Sequence, residues 1–268
     1  MTISPVFCLA DTLQKWIANA SSHRGNSIYS MHQLRIATRK CQAFLSLLEP
    51  AFSPRFLRNL NGIFNKIRKK AGKTRNLQLF LDNIRKTTFS NTKTKRIFTS
   101  LIQKNIRRRK VRFRDFAQKH NPKISKVLKK FNLKIKSNIS KIQPRIEHSE
   151  IRDFQERIRN ATKRQNIGFA EIHGLRISAK RLRYKLEIAN EIYSQNKHRT
   201  TIRHLRKTQK TLGKITDQKV FIFQMKVLRK TLKKKSITAL LEIDALTSQA
   251  KKKFRKSKSA LCLKKRLF

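Results

Sequence analysis

Apolar residues recur along this chain at intervals of three and four, and nowhere do they alternate with period two for long enough to suggest a strand. Between Met31 and Leu48, Leu34, Ala37, Cys41, Phe44, Leu45 and Leu48 share one arc of a helix, while His32, Arg35 and Arg39 cluster on the other side. Pro50 and Pro54 punctuate its end. Leu57, Leu60, Phe64, Ile67 and Ala71 mark a second stripe, which Gly72 is expected to stop as a C-cap. Thr74 is placed to cap a following helix carrying Leu77, Phe80, Leu81 and Ile84. Thr87 to Thr94 lacks periodicity and reads as a break. A long helix is predicted from about Lys95 to Lys119, ending before Asn121-Pro122, and one more over Val127, Leu128, Phe131 and Ile135. The class is all-α.

The pattern repeats itself. His32-Gln33-Leu34-Arg35-Ile36 returns as His173-Gly174-Leu175-Arg176-Ile177, an offset of 173 − 32 = 141. The same offset pairs Gly72-Lys73 with Gly213-Lys214, Lys66 with Lys207, Lys69 with Lys210, Phe80 with Phe221 and Phe113-Arg114 with Phe254-Arg255. Matches of Lys and Arg mean little in so basic a chain; matches of His, Gly, Leu and Phe at constant register mean a tandem duplication. The two repeats span 1–143 and 144–268.

Composition then narrows the partner. Of 268 residues, 67 are Lys or Arg and 14 are Asp or Glu, a formal charge of +53. Six Gly, five Pro and 38% hydrophobic residues argue for a folded domain rather than a basic tail. Such self-repulsion calls for a polyanionic partner: nucleic acid, inorganic polyphosphate or an acidic membrane surface. No apolar run is long enough to span a bilayer, and the N-terminus lacks a basic leader region. Cys8, Cys41 and Cys262 are odd in number and far apart, which suggests free thiols and a cytoplasmic protein.

The candidate chemistry lies in a duplicated row of cations. His32, Arg35 and Arg39, with Lys40 beside them, correspond to His173, Arg176, Lys180 and Arg183, with Arg181 beside them. Spacings of three and four align them on one helix face, where they repel one another unless phosphate lies opposite. An arginine fork grips two phosphate oxygens, whereas lysine supplies a mobile point charge. A row of charges can also be an ordinary solvated face, and each histidine can be a packing residue. Next to a polyanion, however, the histidines would hold protons more tightly and join the donors. Lys66, Lys69 and Lys73, with Lys207, Lys210 and Lys214, extend the basic surface. Gly72-Lys73-Thr74 lacks the rest of a phosphate loop and reads as a helix break, placing Lys73, Arg75 and Lys214 near new helix N-termini. Metal-ligand spacing is missing and no nucleophile–base pair can be located. Glu147, Glu150, Asp153 and Glu156 read as the acidic start of a helix, so catalysis, cofactor and metal are not expected.

HQLRIATRK (His32 to Lys40) and HGLRISAKRLRYKLE (His173 to Glu187) resemble the two signature helices of the CHAD family, the conserved-histidine α-helical domain. Leu60 to Asn76 and Leu205 to Asp217 resemble that family's next helix and its Gly-x-x-Arg-Asp turn. The resemblance implies two antiparallel, four-helix-type bundles related by a pseudo-twofold axis around a basic groove or pore. It also implies binding of inorganic polyphosphate by His32, Arg35, Arg39, His173, Arg176, Lys180, Arg181 and Arg183. Gln42 stands where the family has Arg, Asn76 replaces the Asp of the turn, and Thr216 replaces the Arg before Asp217. Without an acidic Glu-x-Glu-x-Lys strand, the chain reads as a stand-alone module that binds polyphosphate without enzymatic activity, and the resemblance implies association with polyphosphate granules. The alternative is a sequence-indifferent binder of RNA or DNA backbone, which the charge alone favours equally at low salt.

Overall fold

The computed structural model describes residues 28–47, 52–138, 148–164, 167–193, 197–232 and 236–262. Among them lie seven helices: α1 (Ile28–Leu47), α2 (Pro54–Lys86), α3 (Thr92–Asn138), α4 (His148–Lys163), α5 (Phe169–Tyr193), α6 (Arg199–Leu232) and α7 (Ile237–Cys262). No strand occurs among the described residues. The fold is all-α, and the order α1-α2-α3 returns as α5-α6-α7. His32 of α1 and His173 of α5 keep the offset of 141. Helix starts follow local chemistry. Pro54 occupies the first position of α2, where a missing N–H costs nothing. The Asn91 side chain accepts from Lys93 N at 2.8 Å ahead of α3, and Ser236 Oγ accepts from Ala239 N at 3.2 Å ahead of α7.

Two compact units form. The described residues of the first fall within Met1–Gln78, Asn105–Glu147 and Arg181–Arg199; those of the second fall within Leu79–Lys104, His148–Lys180 and Thr200–Phe268. Each unit therefore takes segments from both sequence repeats. The first centres on the apolar stripe foreseen for α1: Leu34, Cys41, Phe44 and Leu45 meet Leu60, Phe64 and Ile67 of α2 in one buried cluster with Phe113 and Phe131 of α3. Phe44 and Phe131 meet edge to face, 6.2 Å between centroids. Cys41 is in no disulfide, and burial pushes its thiol pKa up to about 12, so it packs as a small hydrophobe. In the second unit, Ile84, Phe98, Ile172, Leu205, Leu212, Met225 and Ile243 are fully buried, and α4 packs on α7. Leu48, Ile135, Cys8, Cys262 and Glu147 fall outside the residues whose side chains are described.

Three expected breaks are absent. Helix α2 runs through Gly72-Lys73-Thr74, and α6 runs through Gly213-Lys214. A mid-helix glycine costs about 1 kcal/mol relative to alanine, but Ala71, Thr74 and Gln78 are buried around Gly72, so packing carries the helix onward. Lys73, Arg75 and Lys214 consequently sit in helix interiors, with no free N-terminal amides beside them. Helix α3 likewise continues through Pro122. The proline brings no N–H to the carbonyl four residues back. The apolar stripe nevertheless stays in phase across it, with Ala117 before and Ile124, Leu128 and Phe131 after, all buried.

Candidate anion-binding site

In the first unit, α1 carries His32 exposed and Arg35, Arg39 and Lys40 half-buried. The cationic face is thus only partly turned to solvent. Arg35 reaches the backbone of α2 at Gly72, where a Cβ would overlap its Nη1 atom. The glycine is there because a guanidinium occupies the space a side chain would need. This seating fixes the row of α1 next to the turn that bears Lys69 and Lys73, both exposed, with exposed Lys66 a turn earlier. Lys40 Nζ lies 3.5 Å from Glu191 Oε1 of α5, an exposed pair with little energetic weight.

In the second unit the same arrangement recurs on α5 and α6. Arg176 lies against Gly213, with its Nε and Nη2 atoms 3.7 Å from where a Cβ would stand. Exposed Lys210 and Lys214 flank this glycine, with exposed Lys207 beyond them. Gln209 Nε2 donates to Ala179 O at 3.0 Å and ties the two helices together. Arg176 Nη2 donates to Asp217 Oδ1 at 3.4 Å, while its Nε is buried and has no partner. The carboxylate has no counterpart on α2, because Asn76 holds the corresponding position. His173 is exposed and stacks on Phe169 with centroids 6.1 Å apart. Desolvation, then the charges of Arg176 and Lys180, hold its pKa below the usual imidazole value.

Lys180 is half-buried and Arg181 exposed. Arg183, further along α5 and in the first unit, donates to Glu187 Oε1 at 2.8 Å and lies 4.3 Å above the Tyr184 ring. An arginine so engaged is anchored as much as it is available.

Arg68 was not singled out from the sequence. It is half-buried one turn before Gly72, donates to Asn65 Oδ1 at 2.9 Å, and has a buried Nε without a partner. Gln42, standing where the second copy has Arg183, donates to the same Asn65 oxygen at 3.2 Å. The repeat hid Arg68, because its counterpart is the uncharged Gln209.

The two Arg–Gly seatings predict opposite responses to the same substitution. Gly213→Ala fits at ordinary contact distance and should stabilise the fold by about 0.5–1 kcal/mol, with anion binding unchanged. Gly72→Ala gains the same helix propensity but must displace the Arg35 guanidinium, so anion affinity should fall about fivefold, roughly 1 kcal/mol. Thermal melts and anion titrations on the two variants check both signs.

The model of the CHAD domain family matches residues 8–223. The chain belongs to the CHAD family. The crystal structure of the CHAD domain from the plant Ricinus communis is similar to it in fold, with a TM-score of 0.66 over 93% of this chain and 87% of that one at 17% identity. No characterised protein sequence matches the chain significantly. Among the described residues of the CHAD domain, no group of three or more His, Cys, Asp or Glu could hold a metal ion, and no helix is long and apolar enough to cross a membrane.

Proposed function

We propose that this CHAD domain binds inorganic polyphosphate without turning it over, through two equivalent basic faces. The observation that carries the reading is the recurrence of one seating: Arg35 on Gly72 and Arg176 on Gly213, each beside exposed lysines of the next helix. A guanidinium already seated against backbone loses little freedom when it grips phosphate, and the lysines follow a flexible chain with charge on every unit. The duplicated sequence, read as a pseudo-twofold repeat, supplies one such face to each copy. Phe80 and Phe221, equivalent by the offset of 141, touch edge to face with centroids 5.4 Å apart, and equivalent residues meet where a twofold axis passes. The domain works in the cytoplasm, where its thiols stay reduced.

A second reading, sequence-indifferent binding of nucleic-acid backbone, has its own support in α3. Arg108, Arg112, Lys119, Lys123, Lys126 and Lys130 are all exposed on this one helix. At low salt such a stripe attracts any phosphate polymer.

One titration separates the two readings. Labelled long-chain polyphosphate is displaced by RNA of equal phosphate content at near-physiological salt. Polyphosphate is expected to win by at least tenfold, about 1.4 kcal/mol; equal competition would leave bulk charge as the whole account. Run at pH 8 and pH 6, the experiment also reads His173. Its proton is disfavoured in the free domain by desolvation and neighbouring cations, and the charge of an adjoining polyanion outweighs both, so affinity should rise as pH falls and binding should take up protons. The free domain should respond in the opposite sense. Below the ordinary imidazole pKa the unfolded chain holds more protons at this site, so stability falls with pH. His173→Gln should remove the proton uptake.

A further inference from the structure

A pocket of about 460 Å³ opens in the second unit, between the last turn of α2, the middle of α6 and α7. Its size suits a small organic ligand. Phe221, Leu246 and Ala250 supply an apolar wall: Leu246 is buried, and the Phe221 ring is half-buried and held edge-on by Phe80. Lys86, Lys214 and Lys253, all exposed and each from a different helix, stand around it. The one carboxylate in the lining, Asp217, is already paired with Arg176. Asn83, Gln218 and Gln249 add amide donors and acceptors. Gln218 donates to Ser257 Oγ at 3.1 Å, while its Oε1 is buried and has no partner.

We propose that this pocket binds a nucleoside polyphosphate. The lysines match a short run of phosphates. A bare phosphate chain, however, gains nothing from Phe221, Leu246 or Ala250, whereas a flat base gains stacking on the ring and burial against the aliphatic side chains. The side-chain amides can meet the polar edge of a base, and the Gln218 carbonyl is an acceptor left open for a donor after a small shift. Lys214 belongs to the second basic face and Asp217 pairs with its Arg176, but the apolar wall, Lys86 and Lys253 lie outside both faces, so the pocket does not depend on the polyphosphate reading.

The probe is ATP with a fluorescent ribose label, displaced by unlabelled ATP or by tripolyphosphate in magnesium-free buffer. ATP should displace it at least tenfold more effectively than tripolyphosphate, although the two carry similar charge. Lys86→Gln and Lys253→Gln should each weaken both competitors several-fold. Phe221→Leu keeps the apolar volume but removes the π-face, and should reduce the advantage of ATP about fivefold or more without weakening tripolyphosphate. Arg35→Ala with Arg39→Ala, in the other unit, should leave ATP binding unchanged whatever it does to long-chain polyphosphate. Equal displacement by ATP and tripolyphosphate, or an ATP advantage that survives both Phe221→Leu and Gln249→Ala, would overturn the proposal.

Discussion

Arg35→Ala combined with Arg176→Ala should lower the affinity for long-chain polyphosphate about 100-fold at near-physiological salt, from two charge-assisted hydrogen-bonding groups worth roughly 1.5 kcal/mol or more each. Lys252→Gln with Lys256→Gln removes the same number of charges from the exposed face of α7 and should cost less than about fivefold, since mobile surface charges contribute at most about 1 kcal/mol each. The contrast rests on geometry. Both arginines lie half-buried against a glycine backbone, and both lysines end in solvent. The single variants should not be equal. Removing Arg176 also releases the Asp217 carboxylate, which then repels the ligand, whereas α2 has Asn76 at that position. Arg176→Ala is therefore expected to be the costlier of the two. Arg35→Lys and Arg176→Lys should recover part of the loss, because charge returns without the planar fork. If the lysine pair on α7 costs as much as the arginine pair, the site is bulk charge and the seated guanidiniums are incidental.

How far these features could be read in advance depended on whether their cause was periodic. The stripe through Leu34, Ala37, Cys41, Phe44 and Leu45 was legible because helical burial imposes its own spacing, and every one of these residues is buried. The repeat was legible because the offset of 141 holds across residues that basic composition does not supply. Gly72 and Pro122 misled because they were read as local breakers. Their helices are held by side chains distant in sequence: Arg35 fills the space beside Gly72, and Phe113 and Phe131 keep α3 docked on both sides of Pro122. No local rule contains that information. The row of cations was legible as a row, but its pairing was not. The contacts of Lys40 with Glu191 and of Arg176 with Asp217 join residues 151 and 41 positions apart. Arg68 escaped because the argument from repetition sees only what is repeated, and the pocket around Phe221 escaped because three separate helices are needed to build it.

Saturating polyphosphate should raise the melting temperature of the domain by about 5–10 °C, since ligand at a hundred times its Kd adds about 2.7 kcal/mol and each kcal/mol moves a chain of this size by about 2–4 °C. The sign is less obvious than it looks. The unfolded chain carries the same +53 and attracts polyanions too. Attraction common to both states cancels, so bulk charge alone moves the melting temperature little. What remains is the part that requires α1 beside α2 and α5 beside α6, where guanidiniums are held in place before the ligand arrives. The shift in melting temperature therefore isolates the folded site from the general basicity, which a binding curve does not. Arg35→Ala with Arg176→Ala should lose most of the shift, while Lys252→Gln with Lys256→Gln should keep it. Added sodium chloride provides a second sign. Screening relieves self-repulsion and should stabilise the free domain, but it weakens phosphate contacts, so the increment from polyphosphate should shrink as salt rises. A melting temperature that polyphosphate leaves unmoved, or lowers, would mean that the folded surface offers phosphate nothing the unfolded chain does not.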